Sequence, residues 1–393
     1  MKITWVDPIN TDAQFLNIMS DSFLRCGHEI DVFSLSTRFG GIPEGVNWHE
    51  FDKFLGGRLR QRSKKMMTAY AAIYPLDWML LISKLRSRGE KAVILSSSLK
   101  LPEYDTAGHW MLRKAGIQTA VVVHKPHPEF YENHGKIRAL RYRQYFSLAS
   151  KILVMTEYTR DLMHTYYDLP LERFALFPHP HLRDYLSAFE TDAVLLDSLK
   201  KWADGQPVIS LFSSYSHEHG HDTFLKALPI LKRELPKVKI LYVVGNVKPG
   251  DIFAKNVESS LLDAGFNKED YRLNYRQYTY PELLAFINVT SLVALPYNWA
   301  TQSGVIPLAT GFGIPVVTTN VGGLSEMIEQ GVSGMVVPAG EPAAFAVACK
   351  TILLDSGYNK YRKNSFDVSN DKLSPGKAVE NIVSILRQLS NSG

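Results

Sequence analysis

The feature that most constrains this chain is an alternation of short apolar runs with stretches of helical period, sustained along most of its length. Strands and helices that alternate in this way build a parallel sheet covered by helices. Residues 2–6 read as a first strand, 13–25 as a helix closed by Gly27, and 30–35 as a second strand. Residues 92–96, 119–123 and 152–155 continue the series as short buried strands, each followed by a polar or turn-forming loop. A second series begins at 208–212 and runs through 239–244, 292–295 and 315–318, with helices expected over 222–234, 280–288 and 342–354. The pattern predicts an α/β chain of two doubly wound units. At 393 residues and 45% hydrophobic content, each can bury a core of its own.

The expected organisation is a domain over residues 1–185, a hinge over 186–205 where the period is weak, a second domain over 206–372, and a last helix over 373–393. Val379, Ile382, Val383, Ile385 and Leu386 give that helix an apolar stripe that could pack on either domain. Ligands of open α/β sheets bind beyond the carboxyl ends of the strands, so two facing units would enclose a cleft. A two-substrate enzyme and a hinged binding protein both use this layout.

Cys26 and Cys349 lie far apart and outside any CxxC or Cys/His spacing, so neither a disulfide framework nor a metal site is expected. The opening MKITWVD enters a strand directly, without the parts of a secretory leader, which points to the cytoplasm. No run reaches the roughly 18 apolar residues needed to span a bilayer. The net charge of +5 is unevenly spread: residues 1–185 hold 25 Lys and Arg against 19 Asp and Glu, leaving 19 and 20 for the rest. Two runs carry the excess, one through Arg58, Arg60, Arg62, Lys64 and Lys65, the other from Lys136 to Lys151. Aromatic and apolar residues interleave with both. Such mixtures suit an anionic membrane surface, and a solvated loop leading into a core helix would look the same.

The most informative stretch is ALPYNWATQSGVIPLATGFGIPVVTTNVGGLSEMIEQGVSGMVVPAG, residues 294–340. A strand ends at Leu295, a loop follows, and Ser303 is a natural N-cap for a short helix stopped by Gly313 and Pro315. The N–H groups of Gly304, Val305 and Ile306 would then form an anion site suited to a phosphate. An ordinary strand-loop-helix connection with no ligand fits those residues equally well.

The same stretch resembles the C-terminal signature of glycosyltransferase family 4, and PYNWATQSGVIPLA resembles a bacterial branch with an ATQSGV loop. Residues 154–163 and the run Phe177-Pro178-His179-Pro180 extend the resemblance. It implies the GT-B fold, two Rossmann-like domains facing across a cleft, with the acceptor on the N-terminal one and the donor on the C-terminal one. The implied activity is retaining transfer of a hexose from a UDP- or GDP-sugar to a glycan acceptor, lipid-linked and at the inner membrane face, in cell-surface polysaccharide biosynthesis. A nucleotide-sugar serves as co-substrate, no metal or other cofactor is expected, and nucleic acid is not an expected partner. Gln302, Ser303, Gly304 and Val305 would hold the donor diphosphate, and Gly322 and Gly323 would close around it. His124, at the end of an apolar run, matches a family histidine that contacts the donor sugar. The residues alone also allow a structural histidine there. Asn10, Thr11 and Asp12 stand where the family carries paired glycines and are candidates for acceptor contact, though Thr11 or Asp12 could equally cap a helix.

Several positions depart from the family. Its two glutamates, eight residues apart, align with Ala300 and Leu308, and an Arg and a Lys that grip the diphosphate align with Ser216 and His219 in FSSYSHEHG. His217, His219 and His221 cluster there, and a protonated histidine can stand in for a lysine. A polar loop with no ligand is the alternative. These losses keep a second possibility open, a non-catalytic GT-B protein that acts as a partner or regulator.

Overall fold

Two parallel sheets organise the protein, and most of their strands are joined to the next by a helix that returns over a face of the sheet, the connection that parallel pairing requires. The fold is seen in a computed structural model describing all residues except 9–11, 35–40, 51–63, 98–101, 125, 127–135, 246, 249 and 392–393; side chains of 64–74, 102–104 and 136–138 are also outside the description. The first sheet contains β1 (Lys2–Asp7), β2 (Glu29–Ser34), β3 (Asn47–Glu50), β4 (Ala92–Ser96), β5 (Gln118–Val122), β6 (Lys151–Val154) and β7 (Phe174–Leu176). Its order is β3-β2-β1-β4-β5-β6-β7. The second contains β8 (Val208–Ser214), β9 (Lys239–Gly245), β10 (Tyr271–Asn274), β11 (Leu292–Leu295), β12 (Val316–Thr319) and β13 (Gly334–Val337), in the order β10-β9-β8-β11-β12-β13. The order reverses between β1 and β4 in one sheet and between β8 and β11 in the other, and these switch points are where such sheets bind ligands.

Each sheet is buried on both faces. In the first, Ile3 and Trp5 of β1 join Phe15, Met19 and Phe23 of the helix Ala13–Arg25 on one side. Val6 joins Trp78, Leu85 and Phe146 on the other. The last helix, Pro375–Asn391, belongs to the former layer: Val379, Ile382, Val383 and Leu386 are all buried among these residues. Each such side chain contributes about 1.5–3 kcal/mol on burial, which fixes the helix to the first sheet.

The compact units are residues 1–178 with 375–393, and residues 179–374. The division thus falls ahead of the segment 186–205 expected to be a hinge. That segment contains the helix Ala193–Ala203, capped by Asp192, whose carboxylate accepts from Leu195 N–H at 2.9 Å. Its apolar side, Leu199, Trp202 and Ala203, is buried in the second unit. The helix carries Leu195, Leu196, Leu199 and Trp202 at helical spacing, so the segment is an ordered helix and not a connection without period. Among the described residues no helix is long and apolar enough to cross a membrane.

Candidate functional site

The β8/β11 switch point of the second unit is built from two loops locked together. After β8 the chain makes a tight turn, His217–His219, and Gly220 then opens the helix His221–Glu234. Gly220 has φ +62°, and a Cβ there would sit 1.7 Å from the carbonyl oxygen of Pro296, so glycine is needed on both counts. That approach lets Asn298 and Trp299 donate their N–H groups to Glu218 O at 2.8 and 3.2 Å. Asn298 Nδ2 also donates to His217 O at 2.9 Å. On the far side of the loop, Thr319 Oγ1 at the end of β12 donates to Tyr297 O at 2.6 Å.

The three histidines have different fates. His221 is buried; its Nε2 donates to Ser214 O at 3.0 Å, leaving Nδ1 to accept from the Tyr242 hydroxyl at 2.7 Å. Burial lowers its pKa to about 4, so it is neutral and both nitrogens are engaged. It is a structural group. His219 donates from Nδ1 to Ser214 O at 2.8 Å, and its ring lies 4.7 Å from that of Tyr297. This fixes the ring and leaves Nε2 as the nitrogen able to meet a ligand. His217 is exposed. Ser216, aligned with a family cation, turns its hydroxyl inward to cap the turn, accepting from Glu218 N–H at 3.3 Å.

The ATQSGV loop corrects one expectation. The helix runs Val305–Gly311 and its N-cap is Gly304, not Ser303. Ser303 is buried, and its hydroxyl accepts from Val305 N–H at 3.2 Å. The same side chain bonds to the Tyr297 hydroxyl, whose pKa burial pushes up to about 12. One of the three N–H groups expected to face an anion is therefore engaged by Ser303. Gly304 is exposed, and Gln302 and Val305 are half-buried. His179 approaches Gly304 closely: its Nε2 lies 3.6 Å from where a Cβ would stand, while Nδ1 donates to Pro180 O at 3.1 Å. His179 lies in the run that extends the family resemblance but is not among the expected site residues, and its place between Pro178 and Pro180 is the local signal for it. Gly322, at φ +54°, and Gly323 follow β12, beside β11 in the sheet, at the same end. Ala300 and Leu308 are buried, so the family's glutamate positions are core here.

In the first unit, His124 follows β5 and Asp12 follows β1. Asp12 caps the helix Ala13–Arg25 through Oδ1, which accepts from Phe15 N–H at 3.0 Å, and its Oδ2 lies 4.0 Å from His124 Nδ1. The His124 ring meets Phe15 edge-on at 4.5 Å and its side chain is only 11% exposed, against 46% for Asp12. Two residues singled out separately in the sequence are thus brought together. Asn10, Thr11, Arg58, Arg60 and Arg62 lie outside the described residues. Lys64 and Lys65 begin the helix Lys64–Ser87, their side chains outside the description. Among the described residues, no three His, Cys, Asp or Glu side chains converge as metal ligands.

The sucrose-phosphate synthase of Thermosynechococcus elongatus superposes over 100% of both chains with a TM-score of 0.73 at 14% identity. Anabaena HepE in complex with UDP does so over 99% of this chain and 100% of its own, with a TM-score of 0.70 at 15% identity. This is the GT-B fold. Within its second unit, residues 206–355 match the family described as Glycosyl transferases group 1. A D-inositol 3-phosphate glycosyltransferase of Paenarthrobacter aurescens is 30% identical over 138 residues, 35% of this chain and 33% of its own. An alpha-D-kanosaminyltransferase of Streptomyces kanamyceticus is 22% identical over 247 residues, 61% of each. This GT-B chain thus spans about a third of the first relative's length and less than two thirds of the second's. The group 1 match contains both locked loops, with Gly220, His219 and the ATQSGV turn.

Proposed function

We propose that the protein is a retaining glycosyltransferase, taking a hexose from a UDP- or GDP-sugar and giving it to a glycan acceptor. The observation that carries this reading is the β8/β11 switch point, whose two loops are bonded to each other and hold the His219 ring against Tyr297 of the segment that leads into the ATQSGV turn. The solved HepE structures contain UDP and UDP-glucose, which supports a nucleotide-sugar donor.

In this reading the bond from the anomeric carbon to the β-phosphate oxygen breaks, and a bond to the acceptor oxygen forms on the same face. The acceptor's proton goes to the departing phosphate. Negative charge grows on that phosphate, and fixed donors aimed at it lower the barrier most. His219 Nε2 and the backbone of Gly304 and Val305 are the groups assigned to that charge, with Gln302 and Ser303 in support and Gly322 and Gly323 closing the loop. His124 is assigned to the transferred sugar, with its ring oriented by Asp12. Asn10, Thr11 and Asp12 are the acceptor candidates. No carboxylate pair is required, in contrast to a glycosidase. We assign a lipid-linked acceptor in polysaccharide biosynthesis at the inner membrane face, with Arg58, Arg60, Arg62, Lys64 and Lys65 attracted to anionic lipid.

One observation favours the non-catalytic alternative: Ser216 spends its hydroxyl on its own turn, and Ala300 and Leu308 are buried. Calorimetry with UDP and GDP across pH 6 to 8, with donor turnover measured in parallel, decides between the two. Binding that weakens as pH rises, together with turnover, supports the enzyme; no binding at millimolar nucleotide would overturn it.

A further inference from the structure

Three helices, Lys64–Ser87, Pro102–Lys114 and Lys136–Leu148, lie side by side on one face of the first sheet. Their inner sides share one core, through Trp78 and Leu85, Leu112, and Tyr142 and Phe146. The outer side of such a layer is ordinarily polar. Here it carries Leu76, Met79, Leu80, Trp110 and Leu140, each between 45% and 56% exposed. Leu76, Met79 and Leu80 stand at i, i+3 and i+4, a continuous stripe turned away from the core.

The exposed charged residues described on these helices are cations, with Ser83, Ser87 and Gln144 as uncharged neighbours. Arg86, Arg113, Lys114 and Arg141 are exposed on these helices, and Lys114 Nζ stands 5.8 Å from the centre of the Trp110 ring. The only acids of these helices whose side chains are described, Asp77 and Asp105, are buried. Arg143, also exposed, pairs with Asp168 of the neighbouring segment. A surface of Leu, Met and Trp set among Lys and Arg matches a membrane interface, where apolar side chains enter the acyl boundary and cations meet anionic headgroups. A second copy of the chain docked face to face would set cations against cations.

We propose that this three-helix face seats the protein on an anionic lipid bilayer, with Leu76, Met79, Leu80 and Trp110 entering the interface. The inference deepens the peripheral reading given above and rests on it. It names residues other than the basic run at 58–65.

The test is sedimentation of the full chain with vesicles of phosphatidylcholine, alone or mixed with phosphatidylglycerol. Three proteins are compared: the wild type, a variant carrying Leu76→Ser, Met79→Ser, Leu80→Ser and Trp110→Ser, and a variant with Arg58, Arg60, Arg62, Lys64 and Lys65 neutralised. The wild type should bind the mixed vesicles only, and the four serines should lower its partitioning by about tenfold or more. Met79→Cys in a Cys26→Ser background, labelled with a polarity-sensitive dye, should show a blue shift with mixed vesicles. This single substitution guards against misfolding of the fourfold variant. UDP and GDP calorimetry on the same variants should be unchanged, so that failure of the donor reading and failure of this surface remain separate results. The proposal is overturned by a wild type that ignores mixed vesicles, by undiminished binding of the serine variant, or by a dye that keeps its aqueous spectrum. It is also overturned if the serine substitutions instead dissolve a dimer, which would make a second copy the occupant.

Discussion

The two candidate ligand regions are held in different ways. At the β8/β11 switch point the chain fastens one loop to another through backbone groups: Glu218 O takes two N–H bonds, and Gly220 leaves room for Pro296 O. At the end of β1 and β5, Asp12 and His124 depend on side chains, namely a helix cap, a ring contact with Phe15 and a 4.0 Å approach. A backbone-fastened loop keeps its shape when its side chains change. This explains how the second unit can carry Ser216, Ala300 and Leu308 where the sequence resemblance expects a cation and two glutamates and still hold its loops in one shape. The first region has no such reserve, so its side chains should be the less replaceable.

The largest effect should come from removing the fastening itself. Gly220→Val meets both a left-handed backbone and a carbonyl 1.7 Å from the new Cβ, so the loops must part. We expect a stability loss of about 3 kcal/mol or more by denaturant titration, and loss of nucleoside diphosphate binding. Wild-type stability in this variant would show that the two loops are not coupled.

Next comes acid. His221 is held neutral with a pKa of about 4, below the roughly 6.5 of an unfolded histidine, so the unfolded chain takes up the proton first as pH falls. Its contribution is complete above pH 6.5 and is lost as pH falls through 4, for a total of roughly 3 kcal/mol. Melting curves between pH 7 and 4 should reveal the decline, and His221→Gln should flatten it. His109 in the first unit, its pKa lowered to about 3 by burial, should produce a similar slope that persists in the His221 variant.

The smallest expected change probes the side-chain-held region. His124→Ala should lower turnover by about a hundredfold while donor affinity stays near wild type. Asp12→Asn keeps a good helix cap and removes only the charge, so it should melt like the wild type with a milder loss of turnover; Asp12→Ala should also cost about 1 kcal/mol of stability. Full turnover in His124→Ala would reduce that residue to a packing role.

What could be read from the sequence follows burial. The strands seen there, β1, β2, β4, β5 and β6 in one sheet and β8, β9, β11 and β12 in the other, are the inner strands, apolar on both faces. The four not assigned as strands, β3, β7, β10 and β13, are the edges of the two sheets, and each is short and partly exposed. Polar residues interrupt β3 and β10, while β7 and β13 are apolar but only three and four residues long, too short to stand out as strands. At the site, the turn at residues 296–304 was legible from its caps and glycines, but the start of its helix was missed by one residue because Ser303 bonds forward to Val305. The approach of His179 to Gly304 and that of Asp12 to His124 each join residues more than a hundred positions apart. No local pattern carries such contacts.

The return of Pro375–Asn391 to the first sheet has a consequence for how the protein is made. During synthesis the first unit emerges early, but one side of its sheet is covered only in part, by the helix Ala13–Arg25, until residues 375–391 have left the ribosome. For that interval Ile3, Trp5 and the residues around them lack their last layer. The second unit, continuous from 179 to 374, can close its core first. Although it begins later, the second unit is then the first whose chain is complete, and the N-terminal unit keeps apolar surface exposed for longer.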